Sequence, residues 1–304
     1  MTTWEYEFDT PTFKGKVSYP TGVFIDGKFS HGSANKTIDV INPTNGKVIT
    51  SVSEATPDDV NRAVVAAKRA FDTVWGLHCP GTERGKLIAK LAALLERDQD
   101  EFSAIEALDN GKTFGWAKRA DVANSIETLK YFAGFADKIQ GKVIETSEDK
   151  LAYTRHEPVG VCGQIIPWNF PLMMMAWKLG PALATGNTVV LKPSEFTPLT
   201  ALRICSLIKE AGFPDGVVNV LVGTLVGRKI MQAAAQTNLK KVTLELGGKS
   251  PNIIFDDADL DKAVGWSAHG LYWNHGQACC AGSRIFVQAG VYDAFLARFT
   301  ARTQ

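Results

Sequence analysis

Between residues 159 and 222, short apolar runs alternate with helix-length segments, and this alternation restricts the fold more than any other feature of the chain. Val161-Cys162-Gly163-Gln164-Ile165-Ile166-Pro167 reads as a buried strand. A helix rich in Met and Ala is predicted over 171–185. Asn187-Thr188-Val189-Val190-Leu191-Lys192-Pro193 is a second strand. Thr197-Pro198-Leu199 opens a further helix that Gly212 ends, and Val217-Val218-Asn219-Val220-Leu221 is a third strand. Strand, helix, strand, helix, strand implies a parallel sheet covered on both faces, a doubly wound α/β arrangement. Such sheets bind ligands at the C-terminal ends of their strands. Residues 166–170, 191–195 and 222–227 are therefore the first places to look for function.

Upstream, residues 1–36 are polar and contain glycine, and they read as a loose arm with short strands. Thr37-Ile38-Asp39-Val40-Ile41-Asn42-Pro43 alternates and ends in a turn, as a strand does. Thr56-Pro57-Asp58-Asp59 carries a helix start, and Val60, Ala63, Val64, Ala67 and Phe71 then share one face. Leu87, Ile88, Leu91, Leu94 and Leu95 form the stripe of a second helix, and Asp109-Asn110-Gly111 closes a third.

The 304 residues hold 33 basic and 32 acidic side chains, so no basic excess suggests a nucleic-acid partner. No run reaches the roughly 18 apolar residues of a membrane span. Met1 to Asp9 carry acids and no apolar stretch, unlike a signal or transit peptide. Five cysteines without framework spacing suggest a reducing compartment, so a cytoplasmic protein is expected. No Cys/His cluster has zinc spacing and no Gly-x-Ser-x-Gly elbow occurs, so no metal is expected.

Each strand end offers chemistry with a bland alternative. In Pro167-Trp168-Asn169-Phe170-Pro171 the asparagine amide could donate to a developing oxyanion, or it could simply be a turn residue between prolines. In Leu191-Lys192-Pro193-Ser194-Glu195 the lysine and glutamate could bind ribose hydroxyls, with the glutamate repelling a 2′-phosphate and favouring NAD over NADP; a solvated loop is the alternative. Gly223-Thr224-Leu225-Val226-Gly227 could hold a pyrophosphate on backbone N–H groups, or supply only a tight turn.

Farther on, Glu245 follows a Val242-Thr243-Leu244 strand and precedes Gly247 and Gly248. It is either a general base or a surface acid. Cys279 and Cys280 sit among Gly276, Ala278, Ala281 and Gly282, where small neighbours open the sulfur to substrate. Cys79, Cys162 and Cys205 suit burial as small hydrophobes, and His275 is a weaker candidate for activating a thiol.

Four segments together, Ile166-Pro167-Trp168-Asn169-Phe170-Pro171, Lys192-Pro193-Ser194-Glu195, Leu244-Glu245-Leu246-Gly247-Gly248-Lys249-Ser250-Pro251 and Gly276-Gln277-Ala278-Cys279-Cys280-Ala281-Gly282-Ser283-Arg284, resemble the successive signatures of NAD-dependent aldehyde dehydrogenases, the fungal cytosolic type above all. The resemblance runs from about Thr21 to the last residue. It implies oxidation of an aldehyde to a carboxylic acid, with Cys279 as nucleophile through a thiohemiacetal and then a thioester. Asn169 and the Cys279 N–H would form the oxyanion hole, Glu245 would activate water, and Lys178 would help relay protons. NAD would be bound by Ile166, Pro167, Trp168, Lys192, Ser194, Glu195, Gly223, Thr224, Gly227, Leu246 and Gly247. Phe170, Met174, Trp177 and Trp273 match substrate-tunnel positions and suit an aliphatic or aromatic aldehyde.

The resemblance also shows departures. Ala278 stands where many members carry a third cysteine. A helix and strand, about 20–25 residues by usual unit size, are missing near 222, where Val222-Gly223 replaces the family's Gly-Ser before threonine. The segment from Val291 to Gln304 reads as a helix without a partner layer, and the family's Glu-x-Phe-Gly-Pro segment and C-terminal strand are absent. The expected organisation is a coenzyme domain over 1–246, with an oligomerisation-like segment at 132–158, and the truncated start of a catalytic domain over 247–304. The alternative to an active enzyme is a catalytically inactive remnant; a less favoured third is a thiol esterase using Cys279 and Glu245. Self-association would be weakened without the C-terminal strand.

Overall fold

Strand β1 (Thr3–Asp9) pairs antiparallel with β2 (Lys14–Pro20), and the hairpin buries Trp4, Phe8, Val17 and Tyr19. Trp4 meets Tyr19 edge-on at 5.3 Å, and the Tyr19 hydroxyl donates to the Leu199 carbonyl at 3.2 Å. The polar arm expected over residues 1–36 is thus an anchored hairpin, because its few aromatics alternate onto one face. This computed structural model describes residues 3–223 and 227–304. The chain divides into two compact units, Met1–Leu225 and Val226–Gln304, whereas the sequence places the division between Leu246 and Gly247.

In the first unit, β3 (Val23–Ile25) and β4 (Lys28–Ser30) turn at Asp26-Gly27, both left-handed at φ 54° and 70°. Strands β5 (Thr37–Ile41) and β6 (Val48–Ser53) form a separate antiparallel pair. Helix α1 (Pro57–Thr73) starts in a capping box, with the Thr56 hydroxyl and the Asp59 carboxylate each accepting from the other's backbone N–H. Its buried stripe is Ala63, Ala66, Ala67 and Ala70, while Val60 and Val64 are each 42% exposed. The expected face was rotated: small side chains let α1 approach the sheet closely, and the branched ones face water.

Helices α2 (Gly81–Arg97) and α3 (Gln99–Asn110) follow, and Gly111 ends α3 at φ 82°. The single turn α4 (Phe114–Trp116) leads into a π-helical turn (Ala117–Val122) and then α5 (Ala123–Phe135). A two-strand ribbon, β7 (Val143–Ile144) and β8 (Ala152–Tyr153), holds the exposed side chains of Val143, Ile144, Leu151 and Tyr153.

The predicted alternation then forms: β9 (Val161–Ile165), α6 (Pro171–Ala184), β10 (Thr188–Lys192), α7 (Leu199–Ala211) and β11 (Val218–Val220). The sheet order is β4-β3-β11-β10-β9, with β9, β10 and β11 parallel and β3 joining β11 antiparallel through Phe24 and Val220. Successive residues Val218, Asn219 and Val220 are all buried, so helices cover both faces. Thr188 on one face donates to the Ala67 carbonyl of α1, and α6 and α7 pack on β10 and β11. Among the described residues the outer side of β9 has no strand partner, and Gly163 within it is exposed.

The second unit holds α8 (Gly227–Gln236), β12 (Pro251–Ile254), α9 (Leu260–Tyr272), β13 (Arg284–Val287) and α10 (Tyr292–Thr303). Strands β12 and β13 run parallel, in register from Pro251 against Arg284. Ile254, Val264 and Phe295 form its core, with Ile285, Val287 and Phe299 around them. The last helix therefore has a partner, α9, contrary to the expectation. The strand expected at Val242-Thr243-Leu244 is not formed: residues 239–250 are irregular, because an isolated extended run has no neighbour to complete its backbone hydrogen bonds.

Candidate active site

The parallel strands deliver two loops side by side in the first unit. After β9 the chain runs through Ile166, Pro167, Trp168 and Asn169 to Phe170, which precedes α6. Ile166 is buried and its N–H donates to the Lys192 carbonyl at 3.1 Å, which ties this loop to the end of β10. Pro167 and Asn169 are half-buried and Trp168 is exposed. Asn169 thus follows the end of β9, which is a partly exposed edge strand and not the buried one expected from the sequence.

At the tip of β10 the Lys192 ammonium donates to Glu195 at 3.2 Å, to its neighbour's carbonyl at 2.9 Å and to the Gly223 carbonyl at 2.6 Å. The two charged side chains are 19% and 25% exposed, so they remain open to a ligand while bonded to each other. Lys192 thereby joins the β10 tip to Gly223, just after β11. Ser194 is buried and its hydroxyl accepts from the Phe196 N–H at 3.3 Å, so it serves the turn itself. Thr224 lies outside the described residues. Gly227 opens α8 in the second unit.

Of the four residues the family resemblance assigns to substrate, Phe170 and Met174 are buried in the first unit. Trp177 is 50% exposed and borders an open groove with Asn124, Glu127, Thr128, Tyr131 and Phe132. Lys178, on the same helix, is half-buried, and its carbonyl accepts from the Gln164 amide at 2.8 Å.

In the second unit two loops approach each other, one before each parallel strand. Glu245, Leu246, Gly247 and Gly248 precede β12 and are exposed; Cys279 and Cys280 precede β13 and are exposed as well. A Cβ built on Gly248 would lie 2.7 Å from the Cys279 carbonyl oxygen, so only glycine permits this approach. The Arg284 guanidinium donates to the Lys249 carbonyl at 2.7 Å and its N–H to the Ser250 carbonyl at 3.3 Å, which ties the loops together. Ahead of the cysteines, Asn274, His275 and Gly276 are all left-handed, at φ 48°, 58° and 74°. Ala278 and Ala281 are buried beside the exposed thiols, so the loop is anchored at both ends. Trp273 stacks on His269 at 6.4 Å. Of the other cysteines only Cys205 is buried; Cys79 and Cys162 are half-buried, and burial raises the thiol of all three above the usual range.

The sequence profile of the Aldehyde dehydrogenase family matches residues 29–225 and 223–304. The chain belongs to the aldehyde dehydrogenase family. An aldehyde dehydrogenase of Agaricus bisporus is 62% identical over 97% of the chain, and one of Emericella nidulans is 58% identical over 97%. The chain spans 64% and 63% of these relatives' lengths. The structure of an aldehyde dehydrogenase from Bacillus cereus in complex with NAD+ is 44% identical and superposes with a TM-score of 0.89, covering 93% of this chain and 62% of that one. The profile matches in two pieces that meet at 223–225. The Agaricus alignment runs over 318 positions, more than the chain's 304 residues, so it opens a gap in this chain. The profile's break falls beside Val222, where the sequence suggests an internal shortening, and the alignment length agrees with a gap in the chain.

Sequence reading missed the groups that hold the Asn169 loop from behind. The Asn110 amide donates to the Trp168 carbonyl at 2.7 Å, the Thr197 hydroxyl donates to the same oxygen at 3.2 Å, and the Lys112 ammonium donates to the Asn169 carbonyl at 3.0 Å. In the sequence, Asp109-Asn110-Gly111 signals only a helix end. Lys112 directly after that glycine gives no periodic signal, and its partner Asp121 lies within the π-helical turn.

Proposed function

We propose that this aldehyde dehydrogenase chain carries the residues for oxidising an aldehyde to a carboxylic acid with NAD. The observation that carries the reading is the exposed Cys279, set among small residues and held against the Gly247-Gly248 turn that follows Glu245. In this reading the Cys279 sulfur adds to the aldehyde carbon and forms a thiohemiacetal. Loss of hydride leaves a thioester, and water activated by Glu245 releases the acid and restores the thiol. Asn169 is the side-chain donor assigned to the developing oxyanion, and Lys178 is the residue assigned to proton relay.

The β10 tip fits a ribose. Lys192 supplies donors and Glu195 an acceptor, both partly open, and the negative charge of Glu195 disfavours a 2′-phosphate. Bound there, NAD would supply the hydride acceptor. Ile166, Pro167, Trp168, Leu246 and Gly247 complete the residues assigned to it, with Gly223, Thr224 and Gly227 toward the pyrophosphate and Ser194 supporting the turn. Trp177, Phe170, Met174 and Trp273 are the apolar side chains assigned to the aldehyde, which favours an aliphatic or aromatic one. Self-association through 132–158 is supported by the exposed apolar side chains of the β7–β8 ribbon. No helix among the described residues is long and apolar enough to cross a membrane, and a cytoplasmic location is part of the proposal.

A second reading, a catalytically inactive member of the family, draws on the profile's break at 223–225, where the pyrophosphate turn falls. Aldehyde-dependent formation of NADH by the purified chain, with Cys279→Ala as control, separates the two. NADH that disappears in the variant supports the oxidation; folded protein that forms none supports the inactive reading.

A further inference from the structure

Lys112 and Asp121 form an ion pair with both side chains fully buried. The ammonium donates to the two Asp121 carboxylate oxygens at 3.0 and 2.9 Å and to the Asn169 carbonyl at 3.0 Å. It also lies 4.6 Å from the centre of the Phe170 ring. Next to it the Trp168 carbonyl is held by Asn110 and Thr197. The N–H of Leu172 donates to Glu106 at 3.3 Å, and the second Glu106 oxygen accepts from the Thr200 hydroxyl at 2.7 Å. Two consecutive carbonyls and the first turn of α6 are thus gripped by groups near the C-terminal end of α3.

A buried pair of this kind adds little net stability, since desolvating both charges offsets their attraction. Here the third donor of the ammonium is spent on main chain at the candidate oxyanion residue. We propose that Lys112, locked by Asp121, is a positioning residue that fixes the Asn169 peptide and so the direction of the Asn169 amide. The effect on turnover rests on the aldehyde-oxidation reading; the grip on the loop does not. Burial and the neighbouring Glu106 push the Asp121 carboxyl up, and the Lys112 ammonium opposes both.

The test compares the full chain with Lys112→Met/Asp121→Leu, which fills the space without leaving one charge alone. Amide hydrogen exchange is read at Asn169, Phe170 and Leu172, and kcat and KM for aldehyde and NAD are measured alongside. The expected result is a protein that melts cooperatively, exchanges about tenfold faster at those amides only, and loses kcat on the order of 10–100-fold with KM for NAD unchanged. Unchanged exchange and unchanged kcat in the folded double variant overturn the proposal. Should the double variant not fold, Lys112→Gln decides by the same exchange readout: faster exchange confined to the loop supports the proposal and unchanged exchange overturns it. If the parent chain forms no NADH, the oxidation reading fails on its own, and exchange still decides whether Lys112 holds the loop.

Discussion

The Cys279 carbonyl oxygen lies 2.7 Å from the point where a side chain would begin on Gly248, and nothing lies within 4 Å of the same point on Gly247. Two adjacent glycines therefore have different tolerances. Gly248→Ala must push the cysteine loop away, at a cost of about 1–3 kcal/mol for overpacking. Gly247→Ala meets open space. In a Cys280→Ser background, the rate at which a small alkylating reagent modifies Cys279 is expected to change several-fold for Gly248→Ala and to stay at the parent value for Gly247→Ala. Equal rates for both variants would refute the contact.

Asp59 is buried at the start of α1. Burial pushes its carboxyl up, but the N–H groups of Thr56 and Ser33 and the Arg62 guanidinium outweigh that and hold it at about 2. Its folded pKa is below its unfolded one, so its stabilisation is fully present above ~4 and is lost as pH falls toward 2. Asp59→Ala should cost about 1–2 kcal/mol at neutral pH, as lost caps do. Urea melts at neutral and strongly acid pH check this: the gap between parent and variant should close in acid.

Asp109 works with the opposite sign. Burial, and secondarily the Glu106 charge, lift its carboxyl well above the usual range despite the N–H of Leu199 at 2.8 Å. The folded chain keeps a proton that the unfolded chain releases near pH 4, so stability falls as pH rises above that value, by up to about 1.4 kcal/mol per pH unit. Asp109→Asn removes this dependence and keeps an oxygen acceptor for Leu199. Its melting temperature should match the parent near pH 5 and exceed it near pH 8; a parallel decline in both proteins would count against it.

Glu195 pairs with Lys192 at the β10 tip, and in the proposed function it turns away a 2′-phosphate. Glu195→Gln keeps the size and an acceptor but removes the charge. Titration of intrinsic fluorescence with NAD and NADP should show the preference for NAD shrinking about tenfold, mostly through tighter NADP binding. A preference that does not move would shift the discrimination elsewhere.

The three parallel strands and their helices could be read from the sequence because buried strands bounded by turn residues are locally encoded. The signature segments around Asn169, Lys192, Glu245 and Cys279 were equally plain. What escaped depended on partners distant in the chain. Val60 and Val64 look like core on a helical projection, but the sheet beneath α1 admits only alanines. Val242-Thr243-Leu244 alternates like a strand yet has no strand beside it. Lys112 and Asp121 carry no signal in the sequence, and only the folded chain shows them buried against the π-helical turn and the Asn169 loop.

Phe24 pairs with Val220, and the N–H of Asp26 donates to the Asn219 side chain 193 positions later. During synthesis the β3–β4 hairpin must therefore wait, without its sheet, until the ribosome has released almost the whole first unit. Long-range pairing of this sort is slow and leaves strand edges open meanwhile. Until then Val23, Phe24 and Ile25, all buried in the finished fold, stay exposed on the growing chain, so completion of this sheet is a late event in the birth of the molecule.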